Sequence, residues 1–570
     1  MCIRDRRARF AEMTGKVMNH VNPYTGLAWK DDPVFIAMEY YNELGLGVEY
    51  AGRMKFSYPD DYKFFMDKWR GFLQKKYANL PKEKCPHSEA VMTNPRLPVA
   101  HDRSQLRVDY DEFWYENMKE TYRFCDQVMK DNGYKGLTTQ CPMPALRCTA
   151  AFWESIQIPD AHGYHCHPYN GEQPGSKVVQ VSSIEEGASL FNQSFGRRIY
   201  GRPFFFNEHN YVFRNPYQYE KPVALDAYAA FQDWDARAIH AGAVALKNDR
   251  RADSFHAANN PILRAGEFLA SLFFLRRDVA PAKHKVAVAL NKDYVFSIGN
   301  SANALSPALS PLALLTNVAS LFTDLPRYRN VPELQKPDMT LVPGNGAEIE
   351  WHGWFAAAKK SAVKDSSLGT AVKRLRSHGI LSGKNKTDLS KKIYQSETGE
   401  LTLFAKEKKV TVITPKSEAV ALIAGKQARL DVLDIRKNSV NTLIGLASVD
   451  NKPLKASNRM VLVLSTRIAN TNMQHDPSGE LLRVIGTLPI LYQCGQYNVR
   501  IARKEKMRCY ALSLTGERKE EIPLISSADG CILSLDVAKL KQGPTPFFEL
   551  VTEESGKLGG LTDRSEYRKR

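Results

Sequence analysis

Pro203-Phe204-Phe205-Phe206-Asn207-Glu208 is a run of large apolar residues closed by two polar ones, the pattern of a buried parallel strand whose tip emerges into a loop. The stretch before it, Ile184 to Tyr200, is patterned as a helix and stops at Gly201. The same rhythm holds on both sides. Phe10, Met13, Val17 and Val21 recur at three- and four-residue steps, so a helix comes first, and Asn22-Pro23-Tyr24-Thr25-Gly26 breaks it. Val34-Phe35-Ile36-Ala37-Met38 then reads as a short buried strand leading to Asn42-Glu43. Asp109 to Asn132 is a long helical pattern, followed by the strand Gly136 to Gln140; Ala161 to His167 is the next strand. Pro222 to Ala236 is helical, Ala238 to Leu246 a strand, and Leu263 to Phe274 a helix. Strands alternating with helices predict parallel βαβ units, here with strands tipped near Glu43, Gln140, His167, Glu208 and Leu246.

Past Val279 the pattern changes. Lys285 to Leu290 and Asp338 to Pro343 read as strands and Leu309 to Phe322 as a helical stretch containing Pro311, a small α/β region. Gly369 to Ser390 is basic and poor in large apolar residues, the composition of a linker. From Glu400 strands dominate, separated by Gly-, Asn-, Asp- and Pro-containing turns, as in a β-sandwich. The expected fold is therefore α/β: parallel βαβ units over 8–280, with five of the eight strands that a closed (β/α)8 barrel needs, a small α/β domain over 281–368, a basic linker over 369–399 and a β-sandwich over 400–570; the resemblance given below makes the first region a partial (β/α)8 barrel.

A chain of 570 residues with 43% apolar and 25% charged residues has the composition of a multidomain globular protein. No run of eighteen uncharged apolar residues occurs, so no membrane span is expected. The formal charge of +17 is scattered, concentrating between Lys359 and Lys392, and no zinc-finger spacing or aromatic-basic recognition motif accompanies it; nucleic acid is not an expected partner. Nine cysteines without paired CxxC spacing do not make a zinc framework, and are compatible with free thiols or one or two bridges.

In an α/β barrel the strand tips converge on one mouth, where functional groups sit. Asn42-Glu43 and Asn207-Glu208 both occupy such tips and both are flanked by aromatics: Tyr40 and Tyr41, Phe206 and Tyr211. A lone glutamate after a strand commonly caps a helix or sits in water. Two facing each other across a mouth meet the need of a retaining glycosidase, one carboxyl to protonate the leaving oxygen and one to attack the anomeric carbon. The segment Asp160-Ala161-His162-Gly163-Tyr164-His165-Cys166-His167 supplies donors from the strand before Glu208.

His20 to Leu27, Asp31-Asp32-Pro33 and Tyr41-Asn42-Glu43, together with Gly201 to Asn210, resemble clan A (β/α)8-barrel glycoside hydrolases, especially the cellulase-like relatives of family 5. The resemblance covers roughly residues 8 to 280. It implies that Glu43, after strand four, is the general acid/base and Glu208, after strand seven, the nucleophile. It further implies that Asn42 contacts the sugar 2-hydroxyl and that Tyr164 lies beside the nucleophile, with His162 and His167 as further substrate-binding candidates. No cofactor is implied; the implied partner is an oligosaccharide or polysaccharide, and the implied location secreted or periplasmic, although Met1 to Arg7 lacks the apolar segment of a signal peptide. The chain departs from the clan in two ways. Ala238 to Leu246 holds no Trp to floor the sugar subsite, and strands one to three have no room before residue 8, so an N-terminally truncated barrel with exposed sheet edges and a tendency to aggregate is expected.

Two rival readings follow from the same residues. A non-catalytic carbohydrate-binding or assembly protein could keep the barrel without turnover. A metal hydrolase could use His162, His165 and His167 with His101 and Asp102, although no HExxH helix accompanies them.

Overall fold

The computed structural model describes residues 3–43, 55–99, 102–141, 152, 155–191, 197–245, 247, 249–297, 309–322, 336–342 and 367–553. The chain is α/β in its first half and carries a large antiparallel sheet in its second.

Five short strands of the first half run parallel and adjoin in chain order. They are β1 (Ala37–Glu39), β2 (Leu137–Thr139), β3 (Asp160–His165), β4 (Phe205–Tyr211) and β5 (Ala236–Ile239). β1 pairs with β2, a single parallel bridge from Thr139 to Ile158 carries the pairing on towards β3, and β3–β4–β5 form a continuous parallel sheet. Helices α1 (Ile3–Met18), α2 (Pro59–Tyr77) and α3 (Gln105–Asp131) precede β2, and α4 (Pro261–Phe274) follows β5. Helix α3 is buried at Leu106, Tyr110 and Phe113 against Trp69 and Leu73 of α2, and its next turns deliver Trp114, Met118 and Tyr122 to the main core. Helix α4 starts where Asn260 caps it, its side chain accepting from the backbone N–H groups of Ile262 (3.0 Å) and Leu263 (3.1 Å), with Pro261 in the first turn. Beyond β1, among the described residues, no strand pairs on the outer edge, and Val34 and Ile36 beside it are 72% and 66% exposed.

Several elements differ from their expected form. β4 does not end at Phe206 but runs on to Tyr211, so Asn207 and Glu208 lie within the strand. β5 stops at Ile239, and the residues after it leave the sheet. Ile184 to Gly187 form turns rather than helix, and 192–196 lie outside the described residues. Leu309 to Phe322, expected as helix, is one 3-10 turn, Ser310–Leu314, followed by strand β7 (Asn317–Phe322), every residue of which is buried. Apolar residues dominate the stretch and its few polar ones, Ser310, Thr316, Asn317 and Ser320, set up no period that separates the two choices. β7 pairs in parallel with β6 (Lys285–Leu290), which also pairs with β8 (Met339–Leu341). The stretch expected as a linker holds helix α5 (Ser367–Ser377), with Ala371, Val372 and Leu375 buried on one face and Lys373, Arg374 and Arg376 among the others. A low apolar content hid a narrow but sufficient stripe.

The second half forms a nine-stranded antiparallel sheet whose order across the sheet is Arg518–Ile522, Met507–Leu512, Phe547–Thr552, Arg459–Ser465, Thr442–Ser448, Ser417–Leu422, Lys409–Ile413, Leu401–Phe404 and Ile393–Gln395. A five-stranded sheet centred on Gln496–Ile501 accompanies it. The central strands are apolar on both faces, and alternation sorts the residues. Val420, Leu422, Ile444, Leu446, Leu462 and Leu464 share a core with Leu433, Ile435, Val499 and Leu533 of the smaller sheet. Ala419, Ala421, Leu443, Ala447, Val461 and Val463 join the core of the first half. Gly445 lets the sheet come close to α4 at that junction: a Cβ there would stand 2.5 Å from Leu269 Cδ1, which would have to shift. The seven cysteines among the described residues are all free thiols. Among those residues, no helix is long and apolar enough to cross a membrane.

Candidate active site

Strands β3 and β4 place the site's side chains. Alternation puts Asp160, His162 and Tyr164 on one side of β3. On β4 the register slips: Asp160 stands opposite Phe205 but His162 opposite Glu208, and against β5 Phe206 stands opposite Arg237 but His209 opposite Ile239. One extra residue between Phe205 and His209 makes a bulge, and a bulge breaks alternation and re-aims side chains. Its result is that two consecutive residues serve the same cluster. Asn207 Nδ2 donates to Glu39 Oε2 (2.9 Å) and Asp160 Oδ2 (3.4 Å), while Glu208 Oε2 accepts from the Tyr164 hydroxyl (2.6 Å).

Glu43 arrives from the turn after β1. Its own backbone lies at φ 50°, a left-handed conformation uncommon for a residue with a Cβ. That turn brings its carboxylate Oε1 to 2.9 Å from His162 Nδ1, which is also 3.5 Å from Glu208 Oε2. One oxygen of Glu43, one of Glu208 and a ring nitrogen of His162 all lie within 4.8 Å of one another. Asn42 is exposed in the same turn. Tyr164 is boxed by the rings of His167 (5.3 Å), His240 (5.7 Å) and Phe255 (5.2 Å).

The electrostatics follow from these contacts. Glu43 is held below the usual carboxylate range, first by its hydrogen bond with His162 and then, against the opposing effect of burial, by the charge of that imidazole. Burial alone would lower His162, but its bond to Glu43 and the negative charges of Glu208, Asp160 and Glu39 outweigh this and raise it. Burial, reinforced by the Glu208 carboxylate, raises Tyr164 far above the ordinary phenol value, so it stays a donor. His209, wholly buried and stacked on Phe206 (5.1 Å), is driven well below the ordinary imidazole value by burial and remains neutral.

Asp160 is fully buried, and burial followed by the charge of Glu39 pushes its carboxyl up from 3.8 to about 7. The sign follows from linkage. Between these values the folded protein holds a proton that the unfolded chain has released, so the stabilisation is complete below pH 3.8 and is lost as pH rises through 7. Asp160→Asn keeps an acceptor for Thr139 Oγ1, now 2.9 Å from Asp160 Oδ2, and removes the charge. The variant should exceed the parent in unfolding free energy at pH 8 by on the order of 4 kcal/mol, the gap narrowing towards pH 4. Urea unfolding at both pH values checks this; a gap that does not change with pH contradicts it.

Of the residues singled out from sequence, Glu43, Glu208, His162 and Tyr164 meet at one point, with His167 and Asn42 on its rim. The histidine metal set does not assemble: His165 Nε2 is 3.0 Å from the Val181 carbonyl, His167 Nδ1 is 3.0 Å from the Pro168 carbonyl, Asp102 pairs with Arg96, and His101 lies outside the described residues. Among those residues, the group whose donor atoms could converge on a metal ion is Glu43, His162 and Glu208. Sequence reading missed Asp160, Asn207, Asn210, His240 and Phe255. Asp160 was within reach, two residues before His162 on an alternating strand. Asn210, whose Nδ2 donates to the carbonyls of His240 (2.8 Å) and Phe255 (2.9 Å), was hidden by ending β4 too early.

No protein-family profile and no curated protein matches the chain. Among solved structures it is similar to an endo-β-1,4-mannanase from Thermotoga petrophila, with 13% identity and a TM-score of 0.27 over 50% of this chain and 56% of that one. It is also similar to a cold-adapted β-galactosidase from Rahnella sp. R3, with 12% identity and a TM-score of 0.37 over 93% of this chain and 81% of that one. The chain thus spans little more than half the length of the mannanase.

Proposed function

We propose that the chain carries the site of a retaining glycoside hydrolase acting on β-glycosidic bonds, within a partial (β/α)8 barrel built on β1 to β5. The observation that carries this is the convergence of Glu43 and Glu208 on His162, one carboxylate oxygen of each lying within 4.8 Å of the other, with Tyr164 donating to Glu208 at 2.6 Å. Retaining enzymes place their two carboxyl groups about 5–5.5 Å apart so that one can attack directly, whereas inverting enzymes leave about 6.5–9.5 Å for a water; the close approach of the two carboxylates here supports the first arrangement, and the stereochemistry of the product decides it. In this reading Glu208, oriented by Tyr164, attacks the anomeric carbon while Glu43 protonates the departing oxygen. Glu43 then removes a proton from the water that releases the glycosyl group. Asn42, His162 and His167 bind the sugar, an oligosaccharide or polysaccharide unit, and no cofactor enters the reaction.

The test is stereochemical. Proton NMR of the first-formed sugar during hydrolysis of aryl β-glycosides (glucoside, mannoside and galactoside in parallel) is expected to show the β-anomer before mutarotation. First appearance of the α-anomer would overturn the retaining assignment.

A further inference from the structure

Between its strands Arg459–Ser465 and Gln496–Ile501 the second half sends out a long arm, in which Ile468–Thr471 pairs with Thr487–Tyr492 and Gln474–His475 with Leu482–Val484. The arm reaches the first half at two loops. Asn470, 1% exposed, exchanges two hydrogen bonds with the backbone of Ala252: its Nδ2 donates to the Ala252 carbonyl (2.9 Å) and its Oδ1 accepts from the Ala252 N–H (2.9 Å). Further out, the arm adds itself as a strand to the loop after β3. Lys177 bridges Tyr169 on one side and Leu481 on the other, the Leu482 N–H donates to Ser176 O (2.9 Å), and the Gly175 N–H donates to Leu482 O (2.8 Å).

These two loops wall the site. The Ala252 loop carries Phe255 and the other carries His167, and both rings pack on Tyr164, the donor to Glu208. The loops are also tied to each other, since the Ser254 N–H donates to Glu172 Oε1 (2.9 Å). We propose that Asn470 is a positioning residue for the reaction, acting through Ala252, Phe255 and Tyr164 on Glu208, and that the arm makes the β-rich half part of the active site. The proposal rests on the glycosidase reading for its catalytic consequence and on the contacts alone for the clamp.

A side chain that bonds both the N–H and the C=O of one buried residue holds that residue as a sheet partner would, and losing both bonds releases the loop. The loop carries its own reporter: Arg250 and Arg251 are exposed, two and one residues before Ala252. In the full chain, Asn470→Ala should speed tryptic cleavage after Arg250 or Arg251 by about tenfold and raise amide exchange over 252–257, with strands 401–464 as protected as in the parent. With an aryl β-glycoside, kcat should fall by about 10- to 100-fold while KM changes little, because the nucleophile's aim is lost and the sugar's binding groups are not. Asn470→Asp, which keeps the acceptor for the Ala252 N–H, should fall between variant and parent in both readouts, and serves alone if Asn470→Ala does not fold. A loosened loop with parent-like kcat, or equal losses in kcat and in overall thermal stability without loop exposure, overturns the positioning role. A parent that hydrolyses no glycoside sinks the glycosidase reading instead; cleavage after Arg250 then judges the clamp, and unchanged cleavage in Asn470→Ala overturns it.

Discussion

Glu208→Gln is expected to lower kcat by on the order of 10⁴-fold or more while leaving the protein folded. Gln is isosteric with Glu and its carbonyl still accepts from the Tyr164 hydroxyl, so the 2.6 Å contact survives. What disappears is the negative oxygen that attacks the anomeric carbon, and a neutral amide does not replace it. The side chain is 19% exposed, so the change strands no deeply buried charge. The companion variant Glu208→Ala leaves room for a small anion where the carboxylate stood. With azide it should regain turnover and release an α-glycosyl azide, because the single displacement inverts the centre that the parent retains by two. Steady-state kinetics and NMR of the azide product measure both. Glu208→Gln turnover within tenfold of the parent removes Glu208 from the reaction. A parent that binds oligosaccharide without cleaving it, and a variant that does the same, turn the site into a binding site.

The residues that gather around His162 were more legible in the sequence than the fold around them. The residues that meet were legible because each follows or lies in a short apolar strand, and because His162 and Tyr164 are two apart on such a strand. The five parallel strands were legible for the same reason. Most strands of the second half, such as Leu401–Phe404 and Thr442–Ser448, stood between clear turns. What stayed hidden depended on long-range packing. The bulge in β4 is set by register against β3 and β5, which no local pattern records. Residues 309–322 are mostly apolar, with polar residues that mark neither a helical nor an alternating face, and only their pairing with β6 makes the second part of them a strand. The reach of Asn470 to Ala252 spans 218 positions and has no sequence signature.

Glu43→Ala should separate substrates by leaving group. Glycosides that depart as alkoxides or sugars need a proton, and their kcat/KM should fall by about 10²- to 10⁴-fold. A 2,4-dinitrophenyl glycoside departs without one, and its glycosylation step should be little affected. The pH dependence then shows where the proton resides. Glu43 lies below the usual carboxylate range because His162 holds its charged form, and His162 lies above its own usual value because it faces Glu43, Glu208, Asp160 and Glu39. Such a pair titrates as one unit, and the opposite directions of the two shifts put its shared proton mainly on the imidazole, 2.9 Å from the carboxylate that must pass it on. The alkaline limb of kcat/KM in the parent is therefore the loss of that shared proton, above the ordinary imidazole value. In His162→Gln the same proton has only the carboxylate to hold it, a weaker base than the imidazole, so the limb should move to lower pH by about one unit or more and activity at neutral pH should drop with it. A limb that stays in place in His162→Gln would mean that the proton never belonged to the pair, and that Glu43 receives it from solvent only once the sugar has displaced the imidazole.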